Sequence, residues 1–184
     1  MTYLTSLPST RQSTHAACRA ARLFVAAFAA TLLLFGCVTE SKPRGPRHAQ
    51  PAAARASTLF PSVRFFEDTD GDGYFDTTEV TVYIFSNTYP EASILVPGEF
   101  VFHLKGANGK ELRTWRFDQA ACDKSLRRLP VGPGFIFRLS LLEGTGGDKL
   151  DDTAGELTTE FVPAEGDPVN SVATAVRIGR TGRI

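Results

Sequence analysis

Apolar and polar residues alternate with a period of two over much of the chain after residue 60. In Glu99 to Lys105, one face carries Phe100, Phe102 and Leu104, and the other carries Val101, His103 and Lys105. Successive side chains of a β-strand point to opposite faces of a sheet, so this alternation predicts a half-buried strand. Turn residues interrupt the pattern at intervals of about eight to twelve residues, a spacing typical of an all-β sandwich.

Every second residue from Phe135 to Leu141 is large and apolar, which gives the longest apolar stripe in the chain. We expect this stripe to face the core. Glu79 to Phe85 is apolar on both faces and is predicted to be a central strand. Strands at Leu157 to Val162 and Val172 to Ile178 bring the predicted count to seven or eight. The arrangement resembles immunoglobulin-like and transthyretin-like sandwiches in general architecture, which implies no function.

The segment after the strand at Glu99 is predicted to form a β-hairpin. Asn108-Gly109 is the dipeptide preferred by a type I′ turn, and Glu111 to Phe117 is the predicted returning strand. Trp115 and Phe117 are expected to face inward. Arg113 shares their face, so it must extend toward solvent or lie at the edge of the sheet. The 14 phenylalanines are predicted to serve packing.

Residues 1–36 are predicted to be a signal peptide. Arg11, Arg19 and Arg22 form a basic region, and Leu23 to Phe35 is an apolar run of 13 residues. Such a run fits the apolar region of a signal peptide and is shorter than the roughly 20 residues that span a bilayer. An uncleaved anchor beginning near Ala17 is the alternative, but it would place two arginines in the membrane.

The sequence Leu34-Phe35-Gly36-Cys37 resembles the lipobox of bacterial lipoproteins, with Leu at the third place before Cys and a small residue directly before it. The resemblance implies that the signal is removed and that Cys37 receives the lipid. Phe35 departs from the pattern, which has a smaller side chain at that place. Val38 and Thr39 lack the acidic residue associated with retention at the inner membrane, so the resemblance implies an outer-membrane location.

Residues 37–60 hold the lipidated Cys37 and a predicted disordered linker, because they are rich in Pro, Ala and Arg and have no periodic apolar face. Residues 61–184 are then predicted to form one domain of about 120 residues, a usual size. From Phe60 onward the chain has 13 basic and 19 acidic residues, a net charge of 13 − 19 = −6. An acidic domain without a basic aromatic face argues against nucleic-acid binding.

The three cysteines fall in three different regions, so the predicted domain has one thiol and can form no internal disulfide. Cys122 lies in Asp118 to Leu129, a candidate short helix with Asp118 as its N-cap. We expect Cys122 to be a small, partly buried packing residue. A bound metal ion is one alternative way to stabilise an exported domain that lacks disulfides.

The acidic loop, Asp68 to Glu79, has the sequence DTDGDGYFDTTE. Calcium takes about six to eight oxygen ligands, and carboxylates at alternate places of a tight loop converge on one point. Gly71 and Gly73 permit the sharp bend that this convergence needs. The sequence therefore predicts a calcium site whose ligands are Asp68, Asp70, Asp72, the backbone carbonyl of Tyr74, Asp76 and Glu79.

These twelve residues resemble an EF-hand calcium loop, with Gly73 at the sixth place and Glu79 at the twelfth. An EF-hand lies between two helices, whereas Val63 to Phe66 and Val80 to Phe85 are rich in β-branched and aromatic residues and predict strands. The loop is therefore more similar to the DxDGDGxxD loops of thrombospondin type 3 and dockerin repeats, although here there is one copy. At the start of a strand, the side chain of Glu79 can point away from the loop.

The alternative for the acidic loop is a surface turn that binds nothing. Against it stands the repulsion among six carboxylates between Glu67 and Glu79, which costs about 1 kcal/mol for each close pair even in water. A second acidic cluster is formed by Asp148, Asp151 and Asp152. Its spacing matches no known calcium loop, so it is predicted to be a solvated turn, with extension of the first site as the alternative.

Catalytic motifs are not apparent in the sequence. His103 is the one histidine of the predicted domain and is expected to face outward on its strand. The chain shows no nucleophile elbow, paired metal-ligand histidines or phosphate loop, so we expect a protein that is not an enzyme.

Three classes of function fit these observations. The favoured one is a calcium-stabilised, non-catalytic structural or interaction domain, tethered through its lipid to the bacterial envelope. A carbohydrate-binding module would need exposed aromatic side chains in a row, for which Tyr83, Tyr89 and Trp115 are the candidates. The third is a lipoprotein subunit of an envelope or secretion assembly. The expected partners are the membrane and an envelope protein or glycan, and not nucleic acid.

Overall fold

The computed structural model describes residues 49–143 and 146–182. The predicted signal peptide and the predicted lipidation site, Cys37, lie outside these residues. The strands are β1 (Thr58–Val63), β2 (Tyr74–Phe75), β3 (Thr77–Phe85), β4 (Gly98–Gly106), β5 (Glu111–Phe117), β6 (Leu126–Leu129), β7 (Gly132–Ser140), β8 (Ala154–Pro163), β9 (Val169–Asn170), β10 (Thr174–Arg177) and β11 (Gly179–Arg180). One helix, α1 (Gln119–Ser125), lies between β5 and β6.

The strands form an all-β sandwich, as the alternation predicted. The first sheet has the order β1-β3-β7-β6, and the second has the order β10-β8-β4-β5 with β9 paired to β8. All the pairings are antiparallel, and β2 and β11 form a separate two-stranded ribbon. Eight of the described strands have four residues or more, in agreement with the predicted seven or eight.

The core contains the predicted apolar stripe, because Phe135, Phe137, Leu139 and Leu141 are all buried. We use the name phenylalanine core for the six rings of Phe100, Phe102, Phe117, Phe135, Phe137 and Phe161, whose contacting centroids lie 4.6 to 6.3 Å apart. These rings come from both sheets. The predicted central strand is also confirmed, since β3 lies between β1 and β7 and buries Val80, Val82 and Ile84 completely.

Two local predictions are wrong. The helix ends at Ser125, and Leu126 to Leu129 form β6, which pairs antiparallel with β7. The hairpin turn is not type I′, which needs a positive φ at Asn108, whereas no residue other than glycine has one. Instead, Gly109 alone has a left-handed φ of +77° and accompanies a shift of register between β4 and β5.

The folded body begins earlier than the predicted boundary at residue 61. Strand β1 starts at Thr58, and Ala54 is already buried in the core. Ser57 also donates its backbone N–H to the carbonyl of Phe85, at 2.9 Å. The last part of the predicted linker, from Ala54 to Phe60, therefore belongs to the sandwich.

Trp115 and Arg113 connect β5 to the other sheet. Trp115 is half-buried, faces inward as predicted, and donates Nε1–H to the carbonyl of Ser140 on β7, at 2.9 Å. Arg113 lies on an edge strand, which was one of its two predicted positions, and its Nη2 donates to the carbonyl of Gly147, at 2.8 Å. Arg113 thereby fixes the connection between β7 and β8, whose role appears below.

The predicted N-cap of the helix and the predicted burial of the cysteine are confirmed. The Asp118 carboxylate accepts the backbone N–H of Ala121 at 2.9 Å, which caps α1. Cys122 is buried, and burial raises the pKa of its thiol to about 11. Within the described residues, no helix is long and apolar enough to cross a membrane.

Candidate metal centre

The predicted strand at Val80 to Phe85 is confirmed as part of β3, whereas of the predicted strand at Val63 to Phe66 only Val63 lies in a strand, because β1 ends there. The acidic loop connects these two strands, and no helix flanks it. Its two ends are joined by backbone hydrogen bonds: Glu67 N–H donates to the Thr77 carbonyl at 2.8 Å, and Asp76 N–H donates to the Glu67 carbonyl at 2.8 Å. The loop is therefore closed at its base, and its carboxylates are confined to a short, tightly turned segment.

The first half of the loop folds around the Asp68 carboxylate. One oxygen accepts the N–H of Gly71 at 2.7 Å, and the other accepts the N–H of Gly73 at 2.9 Å. Both glycines have left-handed φ values, +79° and +92°, which side chains other than glycine rarely adopt. The two positions that the sequence identified as permitting the bend are therefore the positions that make it.

Asp70 and Asp72 continue the same pattern on the exposed side of the loop. The Asp70 carboxylate accepts the N–H of Asp72 at 3.1 Å, and the Asp72 carboxylate accepts the N–H of Tyr74 at 3.0 Å. Each bond uses one lone pair and leaves other carboxylate lone pairs for a ligand. Tyr74 itself lies in β2 opposite Arg180.

Asp76 has a different environment, because it is completely buried. Its oxygens accept the N–H of Thr69 at 2.6 Å and the hydroxyl of Thr69 at 2.7 Å. Burial alone would raise the pKa of the Asp76 carboxyl. The hydrogen bonds from the hydroxyl and the backbone N–H of Thr69 oppose burial, and the pKa of the Asp76 carboxyl lies below its ordinary value. Asp76 is therefore an anion that organises the loop from inside.

Glu79 is not brought to the other predicted ligands. It lies in β3 in register with Arg138, and its carboxylate is 3.3 Å from the Nε of Arg64. The strand, with its period of two, directs this side chain along the outer face of the sheet. The loop therefore lacks the closing twelfth ligand of an EF-hand.

Two groups of three carboxylates can hold a metal ion. Asp68, Asp70 and Asp76 form one, and Asp70, Asp72 and Asp148 form the other; within each, ligand oxygens lie within 4.8 Å of one another. Asp148 comes from the β7–β8 connection, which the sequence reading favoured as a solvated turn. Asp151 and Asp152, the other two acidic residues of that second cluster, belong to neither group of three carboxylates.

The acidic loop is also attached to a strand from far along the chain. Thr181 donates both its N–H and its hydroxyl to the Gly73 carbonyl, at 2.8 and 3.0 Å. Strand β11 pairs there with β2, and Gly179 has a left-handed φ of +68° where a side chain would collide with the Asp152 carbonyl. Gly179 was the one sequence signal for this turn.

No known family model, curated protein or solved structure matches this chain.

The remaining candidate residues fall outside the acidic loop. His103 faces outward as expected, with Nδ1 3.1 Å from Glu111 and Nε2 3.7 Å from Glu160. A cleft of about 210 Å³ lies elsewhere, lined by residues that include Arg55, Val96 and Pro163. The residues lining it do not belong to the acidic loop.

The three aromatic residues considered for a sugar-binding row do not form one. Tyr89 is buried, and Trp115 points its indole N–H inward to β7. Tyr83 lies on the outer face of the first sheet, next to Phe85 and in register with Phe60. The sequence missed Phe60, which is 59% exposed, because it fell in the predicted linker.

Proposed function

We propose that this protein is a calcium-stabilised, non-catalytic structural or interaction domain, tethered to the bacterial envelope by a lipid on Cys37. The gathering of Asp68, Asp70, Asp72 and Asp76 in one closed loop carries the proposal. All the side-chain ligands are carboxylates, which suit a hard cation such as calcium and not zinc or copper.

The loop is preorganised for a cation, which supports a structural role. Backbone N–H groups fix the carboxylates of Asp68, Asp70 and Asp72, so their oxygens need little rearrangement on binding. Lys149 is the cation now nearest to them, with its Nζ 3.4 Å from Asp72, and it is largely exposed. One exposed ammonium leaves most of the loop's negative charge uncompensated.

The test is thermal unfolding of the full chain in detergent, after removal of metal with a chelator. Extracellular calcium loops bind at about 10⁻⁴ to 10⁻³ M. If only the folded state binds, 10 mM calcium adds about 1.4 to 2.7 kcal/mol, a rise of several degrees in Tm. Magnesium should stabilise less, because it demands octahedral geometry and releases its waters reluctantly.

Asp70→Asn serves as the loop variant, because Asp70 belongs to both groups of three carboxylates. Asp167→Asn, at an exposed position in the β8–β9 connection, serves as its matched control. We expect the calcium shift to be lost in the first variant and kept in the second. An unchanged Tm of the wild type on adding calcium would mean that the acidic loop is an ordinary turn.

The tether is tested separately from the metal. Cells grown with labelled palmitate should label the wild type and not Cys37→Ala, and membrane fractionation should recover the labelled protein in the outer membrane. Equal labelling of the two proteins would contradict the lipid anchor and leave the calcium proposal standing.

A carbohydrate-binding module is the second candidate. The observation that favours it is the outer face of the first sheet, where Phe60 and Tyr83 are paired in register and the ring of Phe85 is 6.4 Å from that of Tyr83. Aromatic rings can stack on sugars from such a face. Binding to a glycan array that Tyr83→Ala abolishes would favour this function, and the absence of binding by the wild type would exclude it.

A further inference from the structure

The acidic loop receives a carboxylate from a distant part of the chain. Asp148 in the β7–β8 connection has a ligand oxygen within 4.8 Å of those of Asp70 and Asp72. We propose that a divalent cation of the calcium class bound at Asp70 and Asp72 is also ligated by Asp148, so that it clamps the β7–β8 connection onto the acidic loop. This inference rests on the proposed function and names the residue that takes the place of Glu79.

The burial of Asp148 is an independent observation that points to a ligand. Asp148 is buried, with 6% of the residue exposed, and its Oδ2 is buried and has no hydrogen-bond partner among the described residues. A buried carboxylate oxygen without a partner is costly, because it has lost its hydration and gained nothing. A cation between Asp148 and the loop removes that cost, which an ordinary solvated turn would not carry.

The backbone around Asp148 is held in place by groups outside the acidic loop. Arg113 donates to the carbonyl of Gly147 at 2.8 Å and to that of Leu141 at 3.4 Å. The carbonyl of Asp148 accepts the N–H of Leu150 at 2.7 Å. Arg113 is thus a positioning residue: it fixes the residue before Asp148 and leaves the carboxylate directed at Asp70 and Asp72.

Lys149, the next residue, supplies the competing charge. Its Nζ is 3.4 Å from the Asp72 carboxylate and 5.9 Å from the centre of the Tyr74 ring. A cation at Asp70, Asp72 and Asp148 must share Asp72 with this ammonium, so the two positive charges repel each other. Removal of the Lys149 charge should therefore increase the affinity for calcium. If calcium bound without Asp72 and Asp148, removal of this charge would leave the affinity unchanged.

The test uses calorimetric titration of calcium into the metal-free full chain, with Asp148→Asn as the ligand variant and Asp167→Asn as the matched control. Asn keeps the shape of Asp and removes its charge. We expect Asp148→Asn to weaken binding about tenfold or more, because affinity depends on the number of charged ligands. We expect Asp167→Asn to bind calcium with the affinity of the wild type, and Lys149→Met to bind it several-fold more tightly.

Hydrogen exchange keeps the inference testable if Asp148→Asn changes stability. Calcium should slow amide exchange in both 68–76 and 146–150 of the wild type, and only in 68–76 of Asp148→Asn. Binding by the wild type with no loss in Asp148→Asn, or with protection confined to 68–76, would overturn the clamp and leave the calcium domain intact. No binding by the wild type would overturn both.

Discussion

The phenylalanine core is filled by side chains of the protein itself, whereas the acidic loop gathers negative charges that these side chains largely leave unneutralised. In the core, Phe137 is buried and contacts four other rings, with centroids 4.6 to 6.2 Å away. In the acidic loop, backbone N–H groups orient the carboxylates of Asp68, Asp70, Asp72 and Asp76, yet oxygens of three carboxylates at a time lie within 4.8 Å of one another. The core is completed by its own side chains, whereas in the described part of the chain the one ion pair to Asp68, Asp70, Asp72 or Asp76 is that of Lys149 with Asp72.

A substitution in the phenylalanine core should cause the largest loss of stability and should leave the stabilisation by calcium intact. Phe137→Ala should lower the free energy of unfolding by about 3 to 5 kcal/mol, because it leaves a cavity among packed rings. Phe65→Ala, at a position 90% exposed, is the matched control and should change it by less than about 0.5 kcal/mol. Urea unfolding measures both, and a small effect of Phe137→Ala would place this ring outside the core.

Within the loop, the buried anion Asp76 should make stability depend on acid. Its folded pKa lies below the unfolded value of 3.8, so its contribution is present above pH 3.8 and is lost as pH falls through the lower folded pKa. Thr69→Val removes a hydrogen bond to this charge and should cost about 1.5 to 3 kcal/mol at pH 7.

Urea midpoints from pH 7 down to pH 2.5 measure this dependence. The curve of Asp76→Asn should be flatter than that of the wild type in the acid range, while Asp167→Asn should follow the wild type. Parallel curves for Asp76→Asn and the wild type would show that Asp76 is not the anion that organises the loop.

The buried thiol of Cys122 should make the stability of the protein fall at high pH. Burial raises the pKa of the Cys122 thiol to about 11 from 9.0, so the buried thiol favours folding below pH 9, and this contribution is lost as pH rises toward 11. By pH 10 the wild type should lose about 1 kcal/mol that Cys122→Ala does not lose. Rapid reaction of the native thiol with a disulfide reagent at pH 8 would contradict its burial.

The smallest effect is expected at Glu79. Its substitution tests whether Glu79 is a calcium ligand, as in an EF-hand, or lies outside the site, as described here. Glu79→Gln should keep the full calcium shift and change stability by less than about 1 kcal/mol, because its ion pair with Arg64 is exposed. Calorimetric titration with calcium measures the first effect. A complete loss of binding would return Glu79 to the ligand set and weaken the case for Asp148.

The sequence predicted the features that depend on near neighbours. The alternation at Phe135 to Leu141 and the glycines at Gly71 and Gly73 appear in the structure as a buried stripe and a sharp bend. The approach of Asp148 could not be read from spacing, because it depends on how the β7–β8 connection packs against the loop. The loop pattern alone could not predict where the Glu79 side chain points, because strand β3 sets its direction.

The attachment of the acidic loop to β11 fixes when the loop can be completed during synthesis. The Gly73 carbonyl is held by Thr181, which lies 108 residues later in the chain. At about 5 to 20 residues per second, the ribosome adds Thr181 roughly 5 to 20 s after Gly73. The two hydrogen bonds that attach the acidic loop to β11 therefore form only after nearly the whole chain has been made.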